Sequence, residues 1–161
     1  MKWGTHISKM CSKANSTLGF IKRNLKYAPK TLKVTAYKSL VRSKLEYGCT
    51  VWDPHLKKDI DKIEMVQRRA ARFVCRDYGR ESSVTEMLRS LDWPTLEQRR
   101  KDKRINMLNN IVTGSVAIPK DQFVTLGQTR TRSKNDNKIA VYRTSTEEFK
   151  NSFPNCRLEC Q

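Results

Sequence analysis

The stretch Lys57-Lys58-Asp59-Ile60-Asp61-Lys62-Ile63-Glu64-Met65-Val66-Gln67-Arg68-Arg69-Ala70-Ala71-Arg72-Phe73-Val74-Cys75-Arg76-Asp77-Tyr78 decides the fold. Ile60, Ile63, Val66, Gln67, Ala70, Phe73 and Val74 recur at intervals of three and four, the spacing that collects side chains on one face of an α-helix. A second stripe holds Arg68, Arg69, Arg72 and Arg76. At about 100° per residue these four Cα positions fall within about 100° of arc, so they share a face. Gly79 follows as a natural stop. The pattern predicts a helix over about 57–78 with one side turned to a core and another strongly cationic.

The same periodicity continues on both sides. Upstream, Ile7, Met10, Cys11, Ala14, Leu18, Ile21 and Leu25 mark a helix from about Thr5 to Leu25. Pro29 is suited to open a second helix, reaching about Tyr47 and burying Leu32, Ala36, Leu40, Val41 and Leu45. Gly48 ends it, and Trp52-Asp53-Pro54 forms a turn. Downstream, Ser83-x-x-Glu86 reads as a capping box opening a short helix through Met87, Leu88 and Leu91. After Trp93-Pro94-Thr95 a fifth helix runs to Gly114 with Leu96, Leu108, Ile111 and Val112 inward and a basic first half. Residues 115–161 lose the helical period and are rich in Thr, Ser, Asn and Arg, with short strand-like pieces at Phe123-Val124 and Ile139–Tyr142. A loosely packed or partly disordered extension is expected there. The fold class is therefore mainly α: a bundle of four to five helices over residues 1–114, followed by an irregular tail over 115–161.

Charge narrows the function. The 161 residues carry 33 Lys and Arg against 16 Asp and Glu, a formal net charge of +17. Residues 1–45 hold eleven of the bases and no acid, the first carboxylate being Glu46. Such an excess repels itself unless something anionic is close, and nucleic acid is the leading candidate, ahead of an anionic membrane surface or an acidic protein. No apolar run approaches the roughly 20 residues needed to cross a bilayer, and the N-terminus lacks a secretory h-region. An intracellular protein, nuclear or cytoplasmic and not secreted, is expected. Cys11, Cys49 and Cys75 lie in apolar helical patterns as small core residues. Cys156 and Cys160 would need the distant His6 or His55 to complete a zinc site, so no metal is expected.

Catalytic groupings are missing. Asp59, Asp61, Asp77 and Asp92 fall on exposed helix faces or turns, with none of the paired carboxylates that two-metal nucleotidyl transfer requires. The six glycines are scattered, so no phosphate-cradling loop is formed, and His6 and His55 stand alone. We expect no enzyme activity, no cofactor and no small-molecule substrate. Binding groups are plentiful. Arg68, Arg69, Arg72 and Arg76, with Lys22, Arg23 and Lys26, are the expected phosphate contacts, since guanidinium groups offer bidentate donors to phosphate oxygens. Lys30 and Lys33 also have no local carboxylate. The competing account of the arginine stripe is a solvated face with intrahelical pairs such as Glu64 with Arg68. Trp3, Tyr37, Tyr47, Trp52 and Trp93 offer stacking surfaces, although core packing is the commoner use of such residues.

The order of residues carries one further signal. Trp3-x-x-His6-Ile7, Leu18-Gly19-Phe20-Ile21-Lys22-Arg23-Asn24-Leu25, Ala36-Tyr37-x-x-Leu40-Val41-Arg42, Leu45-Glu46-Tyr47, Val51-Trp52-Asp53-Pro54, Glu64-x-Val66-Gln67-Arg68-Arg69-Ala70-Ala71-Arg72-Phe73-Val74, Leu91-x-Trp93-x-x-Leu96-x-x-Arg99-Arg100 and Phe149-Lys150-Asn151-Ser152-Phe153-Pro154 follow one another over most of the chain. That string resembles the segment after the palm in reverse transcriptases of jockey-like non-LTR (LINE-type) retrotransposons. The resemblance implies a helical thumb that grips a template–primer duplex, RNA or RNA–DNA, without reading sequence. It also implies that the Tyr-x-Asp-Asp metal site and the endonuclease belong to an upstream region, so the chain is expected to be a non-catalytic piece of a polymerase, from a truncated or decayed element copy. The family's run toward Trp-Asn is replaced here by Asn155-Cys156-Arg157-Leu158-Glu159-Cys160. The alternative is a basic helical protein-interaction module docking an acidic partner, or a palm domain encoded elsewhere, with no role in nucleic-acid binding.

Overall fold

The structure is a computed structural model that describes residues 3–119. Those residues form five helical rods and no strand: α1 (Gly4–Asn24), a second rod made of α2 (Lys30–Ala36), a π-helical segment (Tyr37–Arg42) and α3 (Ser43–Glu46), then α4 (Lys57–Cys75), α5 (Val84–Ser90) and α6 (Leu96–Val112). The mainly α expectation holds. The strand-like pieces at 123–124 and 139–142, nearly all of the expected tail, and Cys156 and Cys160 lie outside the described residues.

The core follows the periodicity. α1 buries Ile7, Met10, Cys11, Ala14, Leu18 and Ile21, and α4 buries Ile60, Ile63, Val66, Gln67, Ala70, Phe73 and Val74 among others. Gln67 is the polar member of that stripe and ties three elements together. Its side-chain oxygen accepts from the Tyr37 hydroxyl at 3.0 Å, and its amide donates to the Pro94 carbonyl at 2.9 Å. The Tyr37 ring stacks on Trp93 with centroids 4.3 Å apart. Burial pushes the Tyr37 hydroxyl far above the usual tyrosine range, which keeps it a donor.

The second rod departs from expectation. Lys33, Tyr37, Val41 and Leu45 are buried, whereas Leu32 and Leu40, expected inside, are each 47% exposed. The buried set keeps a spacing of four. In a regular α-helix of 3.6 residues per turn that spacing drifts by about 40° per step. The wider turn of the π segment takes up this drift, so the face toward the core stays aligned from Lys33 to Leu45 while Leu32 and Leu40 turn outward.

Helix ends are specified by polar contacts. Ser83 Oγ accepts from the Glu86 backbone N–H at 3.4 Å, as the capping box predicts, and Thr95 Oγ1 does the same for Gln98 at 3.1 Å. Glu64 does not pair with Arg68. Its carboxylate reaches from α4 to accept the Glu97 N–H at 2.9 Å, in the first turn of α6. α4 stops at Cys75, earlier than expected, because Arg76 itself takes the left-handed conformation (φ 56°) that ends a helix. The loop beyond is pinned by Asp77, whose Oδ1 accepts from Gly79 N at 3.0 Å and Ser82 Oγ at 2.7 Å. Those two bonds hold the Asp77 carboxyl below its usual range.

Candidate nucleic-acid interface

α1 and α4 lie side by side and run in the same direction. Lys62 Nζ approaches Ser8 Oγ at 3.5 Å, Arg69 Nη1 donates to Asn15 Oδ1 at 3.2 Å, and Arg76 Nη2 donates to the Lys26 carbonyl at 2.8 Å. Ser8, Asn15 and Lys22 are spaced by seven on α1, as are Lys62, Arg69 and Arg76 on α4 and its end. A seven-residue step lags an ideal helix by only about 20°, so each set forms a row along the shared seam. Lys22 sits near enough to Arg69 that, after burial itself, the guanidinium is the further cause lowering its ammonium below the usual lysine range.

Of the seven expected phosphate contacts, Lys22, Arg69 and Arg76 converge on this seam, and Lys26 closes its end through its carbonyl while its ammonium lies 5.2 Å from the centre of the Tyr27 ring. Arg68 is exposed on the outer side of α4. Arg72 is half-buried and donates to the Gly79 carbonyl at 3.2 Å, bracing the loop after α4. Arg23 stands about 100° round α1 from Lys22, with its guanidinium beside Gly19. Two cations outside the expected set belong here. Lys62 was legible as the third member of the row with Arg69 and Arg76. Lys33 was legible as a cation without a local carboxylate, but its burial was not, because the expected inward face of its helix ran through Leu32 instead. Lys33 is 1% exposed, and its ammonium lies 5.0 Å from the centre of the Phe73 ring, with Arg76 beside it.

The bases of α6 have a different fate. Buried Glu46 accepts from Arg99 Nη2 at 3.1 Å and Lys103 Nζ at 2.6 Å. Asp53 binds Arg100 Nε at 2.9 Å and Arg104 Nη1 at 2.8 Å. Burial alone would raise the Glu46 carboxyl, but its bonds from Arg99 and Lys103 outweigh that and hold it below its usual range. Four of the five bases of α6 thus attach the helix to the bundle, and Lys101 stays exposed. Among the described residues the seam between α1 and α4 has no equivalent neutralisation beyond Asp59, which pairs with Lys62 at 3.2 Å near its start.

The aromatic side chains are mostly structural. Tyr37, Trp52 and Trp93 are buried, while Tyr47 is 83% exposed. His6 packs edge-on between Trp3 and Trp52, at 6.1 and 5.2 Å. A cavity of about 710 Å3 opens near Trp3, Ser8, His55, Lys58, Asp59 and Lys62, at the start of the seam. Among the described residues no cluster of three or more His, Cys, Asp or Glu is placed to hold a metal ion, and no helix is long and apolar enough to cross a membrane. The chain matches no model of a known protein family, no curated protein and no solved structure.

Proposed function

We propose that this chain grips the phosphate backbone of RNA or an RNA–DNA duplex without reading its sequence, as the non-catalytic thumb region of a LINE-type reverse transcriptase. The observation that carries it is the contrast between two basic surfaces. Four of the five α6 bases are paired with Glu46 and Asp53, whereas Lys22, Arg69 and Arg76 gather along one seam, with Lys26 at its end, and the acceptors there are neutral, an amide oxygen and a backbone carbonyl. Cations in that state retain their charge for an external anion. The non-catalytic part is supported by the engagement of the carboxylates. Glu46 and Asp53 hold α6, Glu64 caps it, and Asp77 holds a loop. The ordered residue string given above supports the thumb assignment.

Four backbone contacts correspond to a log–log salt slope of about −3 to −4, and a fall in affinity of about 100-fold between 50 and 200 mM salt. Fluorescence anisotropy with a labelled RNA–DNA duplex tests this. The triple variant Lys22→Glu, Lys26→Glu, Arg69→Glu is expected to lose most of the affinity at low salt, and unchanged affinity overturns the proposal.

A second account, a protein-interaction module, draws on Tyr47 and Val51, which are 83% and 75% exposed. They sit on a turn held by Trp52 Nε1 donating to the Tyr47 carbonyl at 2.8 Å and Val51 N to the Gly48 carbonyl at 2.9 Å. A rigid turn offering two apolar side chains suits a protein surface.

A further inference from the structure

Lys33 is in an unusual position for a lysine. It is 1% exposed, and among the described residues its ammonium forms no salt bridge and donates no hydrogen bond. Its ammonium rests near the face of Phe73, 5.0 Å from the ring centre. Phe73 lies three residues before Arg76, and besides desolvation it is this second cation that disfavours the Lys33 charge. The stem is covered by its neighbours while the ammonium ends close to the surface, partly desolvated and without a counterion among the described residues, and a ring quadrupole returns only about 0.5–2 kcal/mol. Arg76 makes the position worse by like-charge repulsion and yet is held there. Its Nη2 donates to the Lys26 carbonyl at 2.8 Å, and its backbone has the left-handed conformation that closes α4.

We propose that Lys33 and Arg76 form a built subsite for a single phosphate at the end of the α1–α4 seam. This rests on the assignment of that seam as a phosphate-binding surface and names the point on it where one backbone phosphate is held most tightly. The non-bridging oxygens accept from the Lys33 ammonium and from the Arg76 N–H groups left over from Lys26. Phe73 supplies the apolar wall that excludes water, which strengthens the ionic contact. Exposed lysines along the seam, by contrast, act through screened and interchangeable attractions.

The test uses the whole chain, with Lys33→Met, Arg76→Gln and the exposed control Lys30→Met. Urea unfolding is measured in sodium chloride and in inorganic phosphate at equal ionic strength, together with affinity for an RNA–DNA duplex. Phosphate stabilises most proteins by exclusion from their surface, so the quantity read is the difference between each variant and the parent. Lys33→Met is expected to raise the urea midpoint in chloride, because it removes an uncompensated, partly desolvated charge. It should abolish the extra stabilisation by phosphate, and it should weaken duplex binding at least 10-fold against about 2-fold for Lys30→Met. Arg76→Gln, at an exposed residue, gives the same loss of the phosphate effect without depending on how the Lys33 variant packs. Equal phosphate stabilisation in the parent and both site variants overturns the subsite, as does a Lys33→Met affinity equal to that of Lys30→Met. Should phosphate protect the parent through Lys33 while no duplex binds, the subsite stands and the duplex assignment fails.

Discussion

Replacing Asp53 by Ala is expected to cost far more than its half-buried position on a loop suggests. Arg100 on α6 is completely buried, and its Nε bond to Asp53 Oδ1 at 2.9 Å is the side-chain bond it makes among the described residues. Nη1 and Nη2 have no partner there. Removing the carboxylate leaves a guanidinium in the interior with neither counterion nor acceptor. Breaking a buried pair from one side costs about 3–5 kcal/mol. Asp53 retains 19% exposure and Arg104 is nearly buried at 14%, so some water reaches the site and the lower half of that range is expected. This is a large share of the roughly 5–15 kcal/mol that holds a domain of this size folded. Arg100→Met removes the same bond from the other side. It also removes the unpartnered donors, so it should be within about 1 kcal/mol of neutral. The double variant should then be more stable than Asp53→Ala alone. Urea unfolding followed by helical circular dichroism measures all three free energies. If Arg100→Met costs as much as Asp53→Ala, or the double variant is no better than the single, the buried charge is not what makes Asp53 necessary.

Two other perturbations read other parts of the bundle. The Glu46 carboxyl is held below its usual range in the folded state, so its contribution is present at pH values above about 4.5 and disappears as pH falls through its lowered value. Glu64, raised by burial with the Glu97 N–H opposing, acts in the opposite direction and above that window: its contribution is present below about pH 4.5 and is lost as pH rises through its raised value. Glu46→Gln should cost about 1–3 kcal/mol at pH 7, charge-assisted bonds discounted for the partial exposure of Arg99 and Lys103. It should also flatten the fall in stability on acidification, and a parent-like acid profile in urea titrations at several pH values would contradict this. Tyr37→Phe keeps the stack on Trp93 and removes the hydroxyl that donates to Gln67. Thermal unfolding should report a loss of about 1–2 kcal/mol from the unsatisfied Gln67 oxygen, and no loss would mean the Tyr37–Gln67–Pro94 link adds nothing to the core.

The amino-acid sequence by itself determined the helices. Apolar side chains at intervals of three and four place Ile63, Val66, Ala70 and Val74 on one face whatever they pack against, because that periodicity is a property of the backbone. The cap at Ser83 was readable for the same reason, since its partner Glu86 is three residues away. The tertiary structure decided which charges are free. Arg99 and Lys103 are as basic in sequence as Arg69, yet their partner Glu46 lies more than 50 residues away, and no local pattern encodes that meeting. Lys33 and Leu32 exchange their expected places because a π segment holds a spacing of four against the core, a choice made by packing against α1 and α4 rather than by the residues of the rod. The arginine stripe divides in the same way. Arg69 and Arg76 reach α1, Arg72 turns to the following loop and Arg68 stays on the outer face, since the direction from which a neighbouring helix approaches is settled only when the helices dock.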